Sequence, residues 1–261
     1  MLVAAAYQSP FSRPMPLTTF DLSTNEVHAW LIDVNVDDSM ISELEALLSD
    51  DEHSRGMKFR FQADRRRHFV SHGALRQVLS RYLGMAPQRL KFAHGRYGKP
   101  CLQGEQAQSD LSFNLSHSGG KALIGVTRGR EIGVDIEFIQ KEVDWEHLAQ
   151  RFFAPQEVDM LRGVPQESRN RAFFACWTRK EAYLKAKGLG LNLPLKDFSV
   201  SLAPGESAQL LRHETEPGEV ERWSLAEVRV GPDYIAAIAV EGKGWELKSW
   251  QWPSGKPLTD G

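Results

Sequence analysis

Two acidic residues stand two positions apart in the Gly-Val-Asp-Ile-Glu segment at residues 133–137. On a β-strand Asp135 and Glu137 would project from the same face, because side chains alternate with a period of two. Neighbouring carboxylates repel each other, and a hard divalent cation such as Mg²⁺ is their natural partner, with water and phosphate oxygens completing its shell. A solvated strand face is the alternative interpretation, since such short acidic patterns are common.

A helical pattern over residues 167–187 carries Glu181 and Lys185. These residues are four positions apart, so they face the same side of the helix, in a polar stripe beside an apolar one. Lys180 falls within the apolar stripe, where an unpaired charge is costly. The Glu–Lys pair is either part of a site or an exposed pair that stabilises the helix by a few tenths of a kcal/mol.

A polar turn follows the predicted strand at residues 111–115. Ser116 and His117 are adjacent, so on a strand they would point to opposite sides, which argues against a nucleophile and its base. The segment does not match the GxSxG pattern either. Hydroxyl and imidazole groups beside two turn glycines suit an anion such as phosphate, and a plain turn is the alternative.

A basic stretch precedes the first long helix, and a further cation stands at a turn, at Lys99 in Gly98-Lys99-Pro100. Such a cluster is compatible with a solvated helix face, a nucleic-acid patch or a phosphate site. The cations of the stretch are Arg55, Lys58, Arg60, Arg65, Arg66 and Arg67.

Composition narrows the class of protein. The chain has 261 residues, 41% of them hydrophobic, and its 32 Lys and Arg against 34 Asp and Glu give a formal net charge of −2. These values argue against a disordered chain and against a wholly basic nucleic-acid binder. No apolar run is long enough to span a bilayer, and the N-terminus lacks the basic start of a secretory signal. We therefore expect a cytoplasmic protein with neither a membrane nor a nucleic acid as partner.

Familiar catalytic motifs do not occur. The sequence contains no GxxxxGK[ST] phosphate loop, no GxGxxG after a strand and no HExxH. An ATP-driven kinase, a dinucleotide-dependent oxidoreductase and a zinc protease therefore have no support.

Helices followed by strands occur twice along the chain, which predicts an α+β fold of two similar halves, residues 1–130 and 131–261. Long helices are predicted over residues 63–83 and 167–187, each ended by a glycine. Ser39 and Ser49 are expected to cap two short helices, and one more helix is predicted over residues 144–162. Strands are predicted at residues 26–36, 90–93, 111–115, 122–127, 132–138, 198–202, 208–212, 223–230, 234–240 and 245–251.

In combination, these segments resemble one family. The chain is similar to the larger, monomeric 4′-phosphopantetheinyl transferases, the Sfp type, from about residue 49 to residue 195. The Gly-Val-Asp-Ile-Glu motif, followed about 40 residues later by Trp-x-x-Lys-Glu-Ala-x-x-Lys, is highly specific. The matching segments, in chain order, are Gly98-Lys99-Pro100, Phe-Asn-Leu-Ser-His-Ser at 113–118, the acidic motif at 133–137, and Trp-Thr-Arg-Lys-Glu at 177–181 with Lys185.

The resemblance implies a fold and a reaction. The fold would be a pseudo-dimer of two similar α+β halves with coenzyme A bound between them. The enzyme would move the phosphopantetheine arm of coenzyme A onto a serine of an apo acyl or peptidyl carrier protein, with Mg²⁺ as cofactor. The products would be the holo-carrier and 3′,5′-ADP. The internal pseudo-symmetry makes a monomer the expected state.

The resemblance also implies roles for residues of the acidic and helical motifs. Asp135, Glu137 and Glu181 fall on the three acidic positions around Mg²⁺ in the family. Glu181 would also act as general base toward the carrier serine. Lys185 would contact the pyrophosphate and stabilise the leaving 3′,5′-ADP. Lys180 matches the motif, and no specific role is assigned to it.

Further positions match the coenzyme A contacts of the family. Ser116 and His117 match its phosphate-contacting pair, and Lys99 with Pro100 matches the segment beside the adenine and phosphates. In the basic stretch, Arg55 best matches the 3′-phosphate position, and Arg67 is a second candidate. Directly after Arg67 this chain has His68, where the family usually has a hydroxyl or small side chain.

Two other functions stay open at this point. A Mg²⁺-dependent hydrolase that cleaves pyrophosphates with water would use the same carboxylates without a carrier. A non-catalytic module that binds coenzyme A or RNA would need no turnover. Neither alternative requires the acidic strand motif and the Trp-x-x-Lys-Glu helix together.

Overall fold

The computed structural model describes residues 20–190 and 193–258, and most of the irregular lead-in predicted for residues 1–25 lies outside them. The fold mixes helices and strands, as expected for an α+β protein. The helices are α1 (Asp38–Glu45), α2 (Asp50–Met57), α3 (Gln62–Leu83), α4 (Trp145–Phe152), α5 (Pro155–Gly163), α6 (Gln166–Lys187) and α7 (Glu219–Arg222). The strands are β1 (Glu26–Asp33), β2 (Phe92–His94), β3 (Pro100–Leu102), β4 (Leu111–Ser118), β5 (Lys121–Arg128), β6 (Ile132–Phe138), β7 (Phe198–Val200), β8 (Leu210–His213), β9 (Trp223–Glu227), β10 (Tyr234–Glu241), β11 (Glu246–Trp252) and β12 (Lys256–Pro257).

Two sheets form the centre of the fold. One has five strands in the order β12-β11-β1-β5-β4, and the other has three in the order β6-β10-β9. The strand β11 pairs in parallel with β1, although residues 139–245 separate it from the first half of the chain. The boundary predicted near residue 130 stays a prediction, and β11 and β12 cross it to join the first sheet.

The two sheets pack against each other, and each carries a long helix on its outer side. On β1 the side chains of Val27, Ala29 and Leu31 contribute to the apolar core shared with β6 and β10. Trp30 and Ile32, which alternate with them, belong to the core under α3. A third core lies between α6 and the second sheet. Both faces of β1 are therefore buried.

The ends of the long helices follow the predicted signals. Gly84 and Gly188 end α3 and α6 with positive φ angles of 61° and 63°, which favour glycine. Ser49 caps α2 within a capping box, as expected. The cap predicted at Ser39 is wrong, because the carboxylate of Asp37 accepts the bond from the backbone at the start of α1.

The helix predicted over residues 144–162 is two helices. The chain is extended at Phe153 and Ala154 between α4 and α5. Ala154 precedes Pro155, and the proline ring disfavours a helical conformation in the residue before it. None of the described helices combines the length and the apolar character needed to cross a bilayer.

Candidate active site

The helix α6 lies directly against β6 at Gly133. A methyl group on Gly133 would come within 2.1 Å of the carbonyl oxygen of Ala182 and 2.2 Å of the backbone nitrogen of Ala186. No side chain fits at that distance, so only glycine allows the helix to approach so closely. The contact brings the polar stripe of α6 over the face of β6 that carries Asp135, as the contact between Lys185 and Asp135 shows.

Alternate side chains of β4 bond to β6. The amide oxygen of Asn114 accepts a hydrogen bond from the backbone nitrogen of Val134 at 2.9 Å. The hydroxyl of Ser116 donates to Asp135 Oδ1 at 2.9 Å, and that of Ser118 donates to Glu137 Oε2 at 2.6 Å. The carboxylates are thus held in place from the first half of the chain.

Asp135 is the most deeply buried of the predicted site carboxylates, with 3% of its surface exposed. Its Oδ1 accepts a hydrogen bond from Lys185 Nζ at 2.6 Å as well as the one from Ser116. Lys185 also donates to the Ser116 hydroxyl at 2.8 Å. The other oxygen, Oδ2, is buried and has no hydrogen-bond partner among the described residues. A buried carboxylate oxygen without a partner is energetically costly, which marks it as a place for a ligand.

Burial and mutual repulsion raise the pKa values of all three predicted metal-binding carboxylates. Loss of water around Asp135 raises its pKa despite the nearby Lys185. Burial, and after it the charge of Asp135, raise the pKa of Glu181 and keep that of Glu137 above its ordinary value despite its bond from Ser118. The three groups therefore affect one another electrostatically, and the positive charge around them does not balance theirs.

These carboxylates suit a divalent cation by their chemistry. The described residues contain no group of three or more His, Cys, Asp or Glu side chains already arranged to hold a metal ion. The unpaired Oδ2 of Asp135, the hard oxygen donors and the raised pKa values nevertheless fit Mg²⁺, which takes carboxylates together with water and phosphate oxygens. The assignment of Asp135, Glu137 and Glu181 as its ligands stays a prediction.

A pocket of about 320 Å³ lies where the two halves meet above these carboxylates. Glu181 and Lys185 line it from α6, and Lys99 and Pro100 line it from the other half. Lys99 Nζ donates to Glu131 at 2.7 Å and to the carbonyl oxygen of Ala186 at 2.9 Å. The structure therefore places four of the residues that were predicted from sequence around one cavity.

Arg55 lines a second pocket, of about 240 Å³, which shares Pro100 and Leu115 with the first. Its guanidinium forms an ion pair with Asp51 at 2.7 Å and donates to Nε2 of His94 at 2.9 Å. Since a guanidinium can only donate, His94 accepts with an unprotonated Nε2. Arg55 is thus oriented by two neighbours at the edge of a pocket adjoining the first.

Arg67 and His117 lie at the outer rim and line neither pocket. Arg67 Nε donates to the carbonyl oxygen of Gly119 at 3.0 Å. His117 is exposed and Ser116 is buried, as expected for neighbours on a strand. Removal from water, and after it the charges of Arg67 and His72, lower the pKa of His117 to about 4. The imidazole is therefore neutral near pH 7 and offers a single N–H to a ligand.

Lys180 has the partner that its apolar position demands. Its ammonium group and the carboxylate of Glu157 are completely buried, with a separation of 2.7 Å. Lys180 also donates to the carbonyl oxygens of Leu195 and Phe198. Glu157 accepts from the backbone nitrogens of Ala154 and Val200 through its two oxygens. This ion pair joins α5, α6 and β7 behind the site.

Sequence reasoning missed the roles of Gly133, Asn114 and Ser118. The signal for the last two was present, because Asn114, Ser116 and Ser118 are two apart and so share one face of a strand. Nothing in the sequence marked Gly133 as the contact point of a helix that lies about 50 residues further on.

Comparisons with known proteins agree with this arrangement. Residues 131–239 match a family model described as the 4′-phosphopantetheinyl transferase superfamily, and residues 37–127 match one described as 4′-phosphopantetheinyl transferase, N-terminal. The chain is 42% identical over 231 residues to the 4′-phosphopantetheinyl transferase HetI of a Nostoc species, covering 88% of this chain and 94% of that protein. The chain therefore belongs to the 4′-phosphopantetheinyl transferase family, and the expected family and class of enzyme are confirmed.

Two further relatives are more distant. The 4′-phosphopantetheinyl transferase Sfp of Bacillus subtilis is 32% identical over 157 residues, covering 60% of this chain and 67% of that protein. Among solved structures, the holo-[acyl-carrier-protein] synthase of Helicobacter pylori, in complex with coenzyme A, matches 42% of this chain and 99% of its own. That match has 24% sequence identity and a TM-score of 0.33.

Proposed function

We propose that this enzyme transfers the 4′-phosphopantetheine arm of coenzyme A to a serine of an apo acyl or peptidyl carrier protein, in a reaction that depends on Mg²⁺. The observation that carries the proposal is the buried, unpartnered Oδ2 of Asp135, which lies beside Lys185. A site with an unsatisfied carboxylate oxygen and a flanking ammonium group suits a metal-bound pyrophosphate.

Coenzyme A would occupy the two adjoining pockets. Lys99 and Lys185 offer ammonium groups to the pyrophosphate in the first pocket, and Arg55 offers a guanidinium to the 3′-phosphate in the second. Ser116 and His117 are the proposed additional phosphate contacts. Since both pockets lie within one chain, we propose that the enzyme acts as a monomer.

Asp135, Glu137 and Glu181 would hold the metal. When bound there, Mg²⁺ neutralises the charge that grows on the phosphoryl oxygens during transfer. The raised pKa values of the three carboxylates support this assignment, because a cation would relieve their repulsion. Hydrogen bonds from Ser116 and Ser118 fix two of the carboxylates in orientation before any ligand arrives.

Glu181 is the proposed general base. No hydrogen bond from a described residue lowers its pKa, and burial raises that pKa toward the range in which a carboxylate removes a proton effectively. The serine hydroxyl gives its proton to Glu181 as its oxygen bonds to the phosphorus attached to the pantetheine arm. The bond from that phosphorus to the oxygen bridging the pyrophosphate then breaks. Lys185 stabilises the departing 3′,5′-ADP.

The test is the intact mass of an apo carrier protein after incubation with this enzyme, coenzyme A and Mg²⁺, with EDTA as the control. A metal-dependent gain of one phosphopantetheine is the expected result. No gain with either a fatty-acid acyl carrier protein or a peptidyl carrier domain would contradict the proposal. Release of 3′,5′-ADP from coenzyme A without any carrier would favour the hydrolase instead.

A further inference from the structure

We propose that an exposed strip of apolar and basic side chains beside the carboxylates is the docking surface for the acceptor protein, and that this partner presents acidic residues around an apolar patch. We call this surface the docking rim and define it as Met57, Lys58, Phe59, Arg60, Phe61 and Phe138. The inference rests on the proposed function, because it assumes that the acceptor is a protein.

Exposed apolar side chains are concentrated in the docking rim. Within the described residues six large hydrophobic side chains are exposed, and four of them belong to it: Met57 at 49%, Phe59 at 41%, Phe61 at 64% and Phe138 at 42%. Isolated exposed apolar residues are ordinary on a protein surface, whereas a contiguous group marks an interaction site. Aromatic and Met side chains are also enriched where proteins bind one another.

The charge of the docking rim is positive. Lys58 and Arg60 alternate with the apolar residues, and Arg60 lies over the ring of Phe61 at 5.6 Å. Neither cation forms an ion pair with a carboxylate of the described residues. By contrast, Arg66 is paired with Asp38 at the start of α1. Unpaired cations interleaved with apolar side chains complement an acidic protein surface.

A short path of contacts connects the docking rim to the proposed metal site. Arg67, on the helix that begins after Phe61, donates to the carbonyl oxygen of Gly119 in the turn after β4. A methyl group on Gly119 would lie 3.1 Å from Cβ of Phe138, at the end of β6. Glu137 directly precedes Phe138. A partner seated on the docking rim therefore has its surface beside the carboxylates, where its serine must react.

A nucleic acid is disfavoured as the occupant. The chain has a formal net charge of −2, and nucleic-acid affinity grows with the number of phosphates that a protein neutralises. Two unpaired cations provide few such contacts, whereas the apolar side chains find complementary surface on a protein. The ring of Phe59 also packs 5.6 Å from that of His68 and is thereby held in place.

The main experiment measures steady-state transfer to an apo acyl carrier protein with the double variant Lys58→Glu/Arg60→Glu. We expect KM for the carrier to rise about tenfold or more and KM for coenzyme A to stay within about twofold of the wild-type value. The wild-type KM should also rise between about 50 mM and about 300 mM salt, and the variant should lose that dependence. The control is Leu211→Ser/Arg212→Glu on β8, an exposed apolar–basic pair outside the rim, which should behave as wild type.

A second variant tests the apolar part of the docking rim without changing charge. Phe61→Ser removes the most exposed of these side chains. It should raise KM for the carrier severalfold while leaving the melting temperature and KM for coenzyme A unchanged. Wild-type values of KM for the carrier in both rim variants would overturn the docking assignment. The absence of transfer by the wild-type enzyme would instead contradict the proposed function.

Binding measurements decide between the classes of partner. Wild type and Lys58→Glu/Arg60→Glu are each tested against anionic phospholipid vesicles and a single-stranded oligonucleotide. The proposal expects neither probe to show binding that depends on the rim. Binding lost in the variant, with KM for the carrier unchanged, would overturn the proposal and assign the surface to the membrane or the nucleic acid.

Discussion

Two lysines five positions apart on α6 each meet a buried carboxylate, and the two pairs are built differently. Lys180 and Glu157 are completely buried, and both oxygens of Glu157 accept hydrogen bonds from the backbone. Lys185 is partly exposed, and the second oxygen of Asp135 has no partner among the described residues. The first pair is fully satisfied by the protein, whereas the second leaves one acceptor for something else.

The difference separates a structural ion pair from a reactive one. Burying charge is tolerable only when every polar atom is paired, which Lys180 and Glu157 achieve between three elements. At Asp135 the protein retains an unpaired oxygen, and the pKa of this group is raised as a result of burial. An energetic cost that persists in the folded protein is typical of sites that gain their stability from a ligand.

The largest expected effect is on catalysis, with Asp135→Asn. The amide cannot provide the charge that holds the metal, so the rate of carrier modification should fall about a thousandfold or more. The free energy of unfolding should stay unchanged or rise, because a buried charge is removed. The measurements are the transfer rate by intact mass and the thermal melting temperature. Retained activity, or a clearly lower melting temperature, would place Asp135 with the structural pair.

Removing Lys180 should affect stability instead. Lys180→Ala leaves the carboxylate of Glu157 buried without its charged partner, which costs about 3–5 kcal/mol of unfolding free energy. Urea denaturation measures this loss, and Lys185→Ala should cost far less because Lys185 is partly exposed. Similar losses in the two variants would remove the distinction between the pairs.

The control replaces both members of the structural pair. Lys180→Met combined with Glu157→Leu removes both buried charges with side chains of similar volume. It should recover much of the stability lost in Lys180→Ala, since apolar replacements of a buried pair are often neutral. A double variant as unstable as the single one would show that packing, and not the unpaired charge, governs the loss.

Gly133→Ala tests whether the reactive pair depends on the close approach of α6. The added methyl group would collide with the backbone of α6 at Ala182 and Ala186, so the helix must shift. We expect a loss of about 1–3 kcal/mol in unfolding free energy, as for overpacked cores. A displaced helix also moves Lys185 away from Asp135, so the transfer rate should fall even in molecules that remain folded. Gly163→Ala, where no atom lies within 4 Å, is the matched control.

Local signals in the sequence predicted the elements well. Gly84 and Gly188 ended the long helices as expected, because their positive φ angles suit glycine. The same-face placement of Asp135 with Ser116 and Lys185 followed from the strand period and from the family resemblance. Pro155 marked the break between α4 and α5, and this signal was overlooked.

Contacts between distant parts of the chain could not be predicted in this way. The parallel pairing of β11 with β1 depends on packing over the whole fold and has no local sequence signal. The same holds for the partner of Lys180, since its apolar position indicated only that a partner was needed. Nor could the sequence show that Oδ2 of Asp135 lacks a partner, because that depends on every neighbouring side chain.

A third buried pair allows a pH test of the comparison. Glu52 meets Arg76 at 2.6 Å. Burial alone would raise the pKa of Glu52, but hydrogen bonds from His72, Arg76 and the backbone of Ser49 lower it to about 2. The unfolded chain therefore takes up a proton at higher pH than the folded protein does. The stabilisation by Glu52 is complete above about pH 4.5 and is lost as the pH falls toward 2.

Wild type and Glu52→Gln should consequently converge in acid. At about pH 6 the variant should be less stable, because Arg76 is then buried without a counter-charge. At about pH 3 the difference in unfolding free energy should have shrunk by about 2 kcal/mol, since Glu52 is protonated in the unfolded wild-type chain. Urea denaturation at both pH values measures the change. A difference independent of pH would mean that Glu52 acts through packing, and then a low pKa would not distinguish satisfied pairs from the unfinished one at Asp135.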